Sequence, residues 1–245
     1  MDAKPTPLGD LRIGEQDALF EWFARAIEKT AEENEASASV ALSGGSTPKA
    51  WYQWARENRR LNPKDLRNVI WATSDERYVS LNDEESNFGN AARYLLQPLG
   101  FSEDKCLPWP VDFDPEPGAL TFQSQWANRF GEYRAFDLCL LGMGDDCHTA
   151  SLFPGSSLLE SDGGNFFSSV QVPEKGVRYT ITPSGLQACQ SIIVLVAGAG
   201  KREALQAVLE EPIDPSARPI QVLSTVRDRV TFLCDPDAVP DSWKT

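Results

Sequence analysis

Two hydrophobic spacings alternate along the chain, and this alternation predicts a mostly parallel β-sheet covered by α-helices. Short, almost continuously apolar runs are typical of buried strands, whereas apolar residues three and four positions apart are typical of amphipathic helices. The predicted strands are residues 39–42, 68–74, 136–141, 191–197 and 230–234. The predicted helices are residues 17–35, 47–60, 87–97, 119–132, 184–190, 201–211 and 220–226. Weaker signals at 163–175 and 178–182 predict a small antiparallel element.

Turn and capping residues refine these boundaries. Thr47 followed by Pro48 is typical of a helix start, with Thr as the N-cap and Pro at the first helical position. Residues 98–118 are rich in Pro and Asp, which predicts an extended connection over the surface. Because no repeat or low-complexity tract interrupts the pattern, residues 1–245 are expected to form a single α/β domain.

Charge and hydropathy exclude two classes of partner. The 245 residues carry a formal charge of −13, whereas a nucleic-acid-binding protein needs a basic surface to neutralise phosphates. The longest aliphatic run, residues 192–197, is far shorter than the roughly 20 residues that a transmembrane helix needs. The first ten residues contain two Asp and two Pro where a signal peptide has an apolar segment. We therefore expect neither a nucleic-acid partner nor a membrane span.

The cysteine and histidine content predicts a reducing compartment and no metal site. The five cysteines are odd in number and form no C-x-x-C pair, which is not the pattern of a disulfide framework. A structural zinc site needs four Cys or His ligands, usually in close pairs, and this chain has one histidine. The sequence thus favours a cytoplasmic protein without a bound metal.

Four loops that follow predicted strands carry the candidate chemistry. They are residues 43–46, 75–77, 142–148 and 198–201. In open parallel sheets, ligands bind outside the carboxyl ends of the strands. If these strands are parallel, all four loops open at the same edge of the sheet, and residues distant in sequence line one cleft.

Two of these loops are candidate anion sites. Ser43, Gly44, Gly45 and Ser46 offer backbone N–H groups and two hydroxyls ahead of a helix, an arrangement that receives a phosphate or carboxylate. The same residues can also form an ordinary turn. Lys201 begins another helix, where the macrodipole disfavours a cation. Either a bound anion or an ion pair with Glu203 would resolve that conflict.

The remaining two loops contain candidate acid–base groups. His148 is the only histidine, and a neutral imidazole suits proton removal near pH 7. Asp75 and Arg77 can supply hydrogen bonding and positive charge to an oxygen that becomes negative, although a surface ion pair is an equal alternative. Cys147 adjoins His148, but neighbouring side chains usually diverge, which disfavours a thiol-protease pair.

Several motifs together resemble the 6-phosphogluconolactonase family, which is related to the glucosamine-6-phosphate isomerase/deaminase enzymes. The motifs are LSGGSTPKAWY, SDERYVSLNDEESN, FDLCLLGMGDDCHTASLFPG, RYTITPSGL and VAGAGKREAL, in order from about residue 40 to residue 209. The resemblance implies a Rossmann-like three-layer α/β sandwich. It also implies hydrolysis of 6-phospho-D-glucono-1,5-lactone to 6-phospho-D-gluconate in the oxidative pentose phosphate pathway, without a cofactor.

The resemblance also assigns roles to individual residues. It implies that the sugar phosphate is held by Ser43, Gly44, Gly45, Arg178 and Lys201, and that the reacting ring is surrounded by Asp75, Arg77, Asp146 and His148. We extend the phosphate loop to Ser46. The expected mechanism has His148, oriented by Asp146, activating water while Arg77 stabilises the oxyanion. The expected partner is a small sugar-phosphate lactone, and the expected assembly is a monomer or small homo-oligomer.

Two departures from the family pattern keep alternatives open. The deaminase branch has a Glu five residues after the His that moves protons, and this chain has Phe153 there, which disfavours an isomerase or deaminase. The family has Gly where this chain has Cys147, and a positive φ at Cys costs about 1 kcal/mol or more. If that φ is required, a strained Cys147 could displace His148, so a non-catalytic sugar-phosphate binder is the other alternative. The rest of the motif is intact, so we expect the site to be retained.

Overall fold

The computed structural model describes residues 1–244. Its strands are β1 (Ala3–Thr6), β2 (Gly9–Ile13), β3 (Ala38–Leu42), β4 (Val69–Thr73), β5 (Asp75–Arg77), β6 (Leu138–Leu141), β7 (Phe167–Val172), β8 (Gly176–Ile181), β9 (Ser191–Val196) and β10 (Val230–Cys234). Its α-helices are α1 (Gln16–Glu33), α2 (Ser46–Glu57), α3 (Asn87–Ala91), α4 (Gln97–Leu99), α5 (Pro115–Phe130), α6 (Ser157–Glu160), α7 (Pro183–Gln187) and α8 (Arg202–Glu210). A π-helical turn, Ala92–Leu96, joins α3 to α4, and 3₁₀ segments occupy Glu103–Lys105, Ala199–Lys201, Pro219–Arg229 and Asp241–Trp243.

A seven-stranded sheet forms the centre of the molecule, in the order β1-β2-β10-β9-β6-β3-β4. All neighbouring pairs are parallel except β1 with β2, which is an antiparallel hairpin. Alternate residues of each strand face opposite sides: Ile192 and Val194 pack in one core cluster, whereas Ile193 packs in the other. Because both faces of the sheet are buried at its centre, β6 and β9 are almost continuously apolar. This is the α/β fold with a mostly parallel sheet that the sequence predicts.

Helices cover the two faces of this sheet. The first core cluster contains buried residues of α5, α8 and the 3₁₀ segment Pro219–Arg229, including Phe122, Leu205 and Ile220. The second contains buried residues of α1 and α2, including Phe23 and Trp51, whose rings lie 4.5 Å apart. The sandwich therefore has three layers, and its helices begin or end at the edges of the sheet where the loops lie.

A smaller antiparallel sheet, in the order β5-β8-β7, adjoins the carboxyl end of β4. Ser74 connects β4 to β5 and joins the two sheets, since its N–H donates to the carbonyl of Leu42 and its carbonyl accepts from the N–H of Ile181. The pairing of β5 with β8 brings Arg77 opposite Arg178. The predicted antiparallel element is confirmed, and its third strand is the segment that carries Asp75 and Arg77.

The structure adds one element that the sequence did not predict and corrects two predicted boundaries. The N-terminal hairpin of β1 and β2 was not predicted, because its strands lack a continuous apolar run. The predicted connection over residues 98–118 ends earlier, since α5 begins at Pro115 with Pro at the first helical position. The predicted N-cap Thr47 is wrong: α2 begins at Ser46, and the N-cap is Gly45.

None of the helices in the part of the chain that the structure describes is both long and apolar enough to cross a membrane.

Candidate active site

The four segments predicted as loops converge on one cleft at the carboxyl edge of the parallel sheet, but residues 75–77 form β5 rather than a loop, because they pair with β8. Of the predicted site residues, the cleft is lined by Ser43, Gly44, Gly45, Ser46, Asp75, Arg77, His148 and Lys201. Asp146 and Arg178 do not line it: Asp146 contacts the His148 ring, and Arg178 lies beside Arg77 on β8. Met143 and Asn87 also line the cleft and were not predicted. The parallel topology therefore brings together loops from four different parts of the sequence.

The first wall of the cleft is the loop that leads into α2. Gly45 has a φ of 101°, which favours glycine, and no side chain caps the N–H groups at the start of this 12-residue helix. The hydroxyl of Tyr52, one turn into the helix, donates to the carbonyl of Ser43 at 2.6 Å and holds the loop in place. Uncapped N–H groups and the helix dipole make this end of α2 a ready anion site.

The loop after β6 contains a His–Asp pair, of which His148 lines the cleft. The Nδ1 atom of His148 lies 2.5 Å from Oδ1 of Asp146, and the backbone N–H of His148 donates to the same oxygen at 3.1 Å. Burial works against ionisation of Asp146, but the two hydrogen bonds from His148 outweigh it and lower the pKa of Asp146. When Nδ1 donates to an ionised Asp146, Nε2 is the nitrogen that accepts a proton.

Phe153 packs against the same imidazole. The two rings are stacked with centroids 4.2 Å apart and an angle of 21° between their planes. The Nζ atom of Lys175, in the turn between β7 and β8, lies 5.2 Å from the centroid of the Phe153 ring. By resemblance, the deaminase branch has a Glu at this position. In this chain the position is filled by an aromatic ring that restricts the orientation of His148.

Asp75 lies at the base of the cleft in a buried polar network. Its Oδ2 accepts from the hydroxyl of Ser151 at 2.8 Å, and its Oδ1 accepts from Nδ2 of Asn87 at 3.0 Å. Burial raises the pKa of Asp75, although Arg77 and the Ser151 hydrogen bond act in the opposite direction. Ser151 and Asn87 were not predicted as partners. Both lie within quoted motifs, but only the folded structure reveals their contacts with Asp75.

Glu76 fixes the segment that follows β5. Its fully buried carboxylate accepts from the backbone N–H groups of Asn87 at 2.7 Å and Phe88 at 2.8 Å, and from the hydroxyl of Ser86 at 3.0 Å. Burial raises the pKa of Glu76, and these hydrogen bonds partly offset that effect. The carboxylate ties the start of α3 to β5 and so holds Asn87 beside Asp75.

The cations of the site have different surroundings. Arg77 lines the cleft and donates to the backbone carbonyl of Glu85. Burial, together with the neighbouring charge of Arg77, lowers the pKa of Arg178. The Nζ atom of Lys201 donates to Oδ1 of Asp145 at 2.6 Å, so the ion-pair partner of Lys201 is Asp145 rather than Glu203, which was one of the two alternatives.

Cys147 adopts the backbone conformation that glycine would favour. Its φ is 63°, and its side chain is buried, with Sγ 3.7 Å from the carbonyl oxygen of Ala204. Burial raises the pKa of this thiol, which keeps it protonated. His148 nevertheless lies in the cleft beside Asp146, so the positive φ of Cys147 does not displace His148 from the cleft.

The positive φ of Cys147 has a measurable consequence for stability. Cys147→Gly and Cys147→Ala both remove the thiol, but only glycine adopts this φ without steric cost. We expect the Gly variant to be more stable than the Ala variant by about 1 kcal/mol. Urea unfolding of the two variants measures this difference. Equal stabilities, or a more stable Ala variant, would show that the backbone at 147 is unstrained.

Within residues 1–244, no group of three or more His, Cys, Asp or Glu side chains is arranged to hold a metal ion.

Comparison with known proteins identifies the family. A sequence model described as glucosamine-6-phosphate isomerases/6-phosphogluconolactonase matches residues 15–232. The chain belongs to this family. A protein of Synechocystis sp. named 6-phosphogluconolactonase is 35% identical over 200 residues, covering 80% of this chain and 81% of the relative. A Nostoc sp. protein of the same name is 36% identical over 195 residues, covering 78% of this chain and 79% of the relative.

A solved structure within the family has the same fold. The structure described as 6-phosphogluconolactonase from Trypanosoma cruzi superposes with a TM-score of 0.80 at 27% identity, covering 97% of each chain. The mostly parallel sheet with a small antiparallel sheet is therefore the architecture of this family.

Proposed function

We propose that this family member hydrolyses 6-phospho-D-glucono-1,5-lactone to 6-phospho-D-gluconate. The observation that carries the proposal is the His148–Asp146 pair at 2.5 Å, in a cleft that also includes the uncapped start of α2. This arrangement offers a base and an anion site in one cleft. The names of the relatives in Synechocystis and Nostoc support the same substrate.

The proposed reaction begins with a water molecule bound near Nε2 of His148. As the water attacks the lactone carbonyl carbon, His148 removes its proton, and Asp146 stabilises the imidazolium that forms. The carbonyl oxygen becomes negative, and Arg77 stabilises that charge. Collapse of the tetrahedral intermediate breaks the ring C–O bond, and the proton on His148 passes to the leaving ring oxygen. The product is an open-chain carboxylic acid that ionises at neutral pH.

The proposed phosphate site fixes the substrate for this attack. Ser43, Gly44, Gly45 and Ser46 supply N–H groups and hydroxyls, Lys201 supplies charge at the cleft wall, and Arg178 adds charge from β8. Asp75 also lines the cleft, where its remaining hydrogen-bonding capacity can orient the sugar ring. Because the phosphate and the carbonyl lie at opposite ends of the substrate, anchoring one orients the other.

The proposed clamp predicts separate effects for two cations. Lys201→Ala should raise KM roughly 10–100-fold, because it removes a charged hydrogen bond to the phosphate. Arg178→Ala should raise KM less, since Arg178 does not line the cleft. Michaelis–Menten measurements test both, with Lys64→Ala as a control in the loop that precedes β4, at the opposite edge of the sheet. An unchanged KM in both site variants would overturn the clamp.

Phe153 is the reason that we do not propose deamination of an amino-sugar phosphate. Its ring occupies one face of His148 and offers no group that transfers protons. Ring opening followed by isomerisation requires more than one such group, whereas lactone hydrolysis requires one base and a stabilised oxyanion. Release of ammonia from glucosamine 6-phosphate would therefore contradict the proposal.

The cysteines support a proposed cytoplasmic location. All five are free thiols, and four of them are buried, as expected for a protein that folds in a reducing compartment.

A monomer or small homo-oligomer remains the prediction for its assembly. Sedimentation velocity would measure the oligomeric state.

A further inference from the structure

Lys201, which the proposed phosphate site needs, forms an ion pair with Asp145 of the same chain. The Nζ atom of Lys201 donates to Oδ1 of Asp145 at 2.6 Å. Lys201 lies in the turn before α8, whereas Asp145 lies in the loop that carries Asp146 and His148. The ion pair therefore bridges two of the four loops that form the cleft, and one of its members lines that cleft.

The two side chains differ in their freedom to move. The Asp145 side chain is 79% exposed, and the Lys201 side chain is 29% exposed. The Lys201 pair is the one contact that the carboxylate of Asp145 makes among the described residues. Asp145 can therefore turn into water when a stronger anion takes its place, whereas Lys201 stays at the cleft wall. The movement of Asp145 does not disturb the His148–Asp146 hydrogen bond, which uses a different carboxylate.

We propose that Asp145 is an internal competitor for the substrate phosphate at Lys201 and that it lowers the affinity of the site for phosphate-bearing ligands. This inference rests on the proposed function, because it assumes that the phosphate binds Lys201. A phosphate monoester carries a charge between about −1.5 and −2 at pH 7, so it attracts the ammonium more strongly than one carboxylate does. The phosphate displaces Asp145, and the carboxylate reoccupies Lys201 when the product leaves.

The competition predicts a uniform change in affinity. Every ligand that needs Lys201 must first separate the same ion pair, so each loses affinity by the same factor. Exposed ion pairs shift equilibria by about 1.4- to 5-fold. Removal of Asp145 also removes a negative charge near the bound phosphate, and salt screens that longer-range effect. The phosphate-bearing product consequently leaves faster from the natural protein than from a variant without this carboxylate.

The test is a double-mutant cycle on product binding. Isothermal titration calorimetry would measure the Kd of 6-phosphogluconate for the natural protein, Asp145→Asn, Lys201→Ala and the double variant. Asp228→Asn is the charge-matched control, because Asp228 precedes β10 at the opposite edge of the sheet. Asp145→Asn should lower the Kd about 5-fold in the natural background and about 2-fold or less in the Lys201→Ala background. Asp228→Asn should leave the Kd unchanged.

Each outcome separates the competition from the proposed function. If Asp145→Asn has the same effect in both backgrounds, Asp145 acts only through its charge and the competition is refuted. An unchanged Kd in Asp145→Asn also overturns the competition while leaving the proposed function intact. If the natural protein does not bind 6-phosphogluconate at millimolar concentration, the proposed phosphosugar site itself fails, and the competition fails with it.

Discussion

His148→Ala is expected to lower kcat by about 10²–10⁴-fold, the usual contribution of general acid–base catalysis. The variant keeps the cleft and the proposed phosphate site but lacks the proposed base. Because the imidazole is partly exposed and its partner Asp146 is 46% exposed, the change should have little effect on folding. KM should change less than kcat, since the proposed phosphate site is left intact.

The assay for this variant must subtract spontaneous lactone hydrolysis, which proceeds without protein. Added imidazole should restore part of the lost rate, because it can occupy the space left by the side chain and act as the base. Near-wild-type turnover in His148→Ala would refute the assignment of the base. Thermal unfolding of the same preparation checks that the loss is catalytic.

Gly144→Ala is expected to disrupt the His148–Asp146 pair, although neither of these two residues is substituted. A Cβ atom at this position would lie 1.9 Å from Nδ1 of His148 and 2.6 Å from Oδ1 of Asp146. Atoms cannot approach so closely, so the His148 ring must turn away and lose its hydrogen bond. The atoms displaced belong to side chains rather than to backbone, so the fold should survive. We expect kcat to fall by about 10²-fold or more, because small misplacements of a catalytic group are costly.

A matched glycine distinguishes this effect from a general loss of loop flexibility. Gly200→Ala alters a glycine at the edge of the cleft where a Cβ would meet no atom within 4 Å, so it should retain most activity. Gly144→Ala should show a large loss of kcat with a small change in unfolding temperature. If both variants are equally active, the proposed contact between residue 144 and the His–Asp pair has no role in catalysis.

The central sheet was predictable because its buried strands appear in the sequence as short apolar runs. Continuous apolar runs such as residues 136–141 and 191–197 indicate strands covered on both faces, and the helices between them imply parallel connections. Because the strands are parallel, their carboxyl ends lie at one edge of the sheet. Residues 43–46 and 142–148 both follow strands, so they converge at that edge. The cleft was therefore predictable without any motif, whereas the roles of its residues came from the resemblance and stay predictions.

Contacts between loops were not predictable in the same way. Periodicity cannot reveal that Asp145 pairs with Lys201 or that Ser151 donates to Asp75, because these partners come from different strand ends. The hairpin of β1 and β2 was missed for a related reason. Its second strand is stabilised by parallel pairing with β10, at the far end of the sequence, rather than by its own composition.

The net charge of −13 affects how the cleft can attract a phosphate ester. An acidic protein repels a phosphate ester over long distances, so binding depends on locally concentrated positive charge. Arg77 and Lys201 line the cleft, and Arg178 lies opposite Arg77 on β8. The start of α2 adds the positive end of a helix dipole to the same cleft.

The most direct test of the account is hydrolysis of 6-phospho-D-glucono-1,5-lactone by the purified protein. Acid release should be followed in a pH-stat beside a protein-free control, with ammonia release from glucosamine 6-phosphate measured in parallel. The account predicts a rate above the spontaneous one that rises in proportion to protein concentration, and no ammonia. A lactone hydrolysis rate equal to that of the protein-free control, from a protein that unfolds cooperatively, would contradict it.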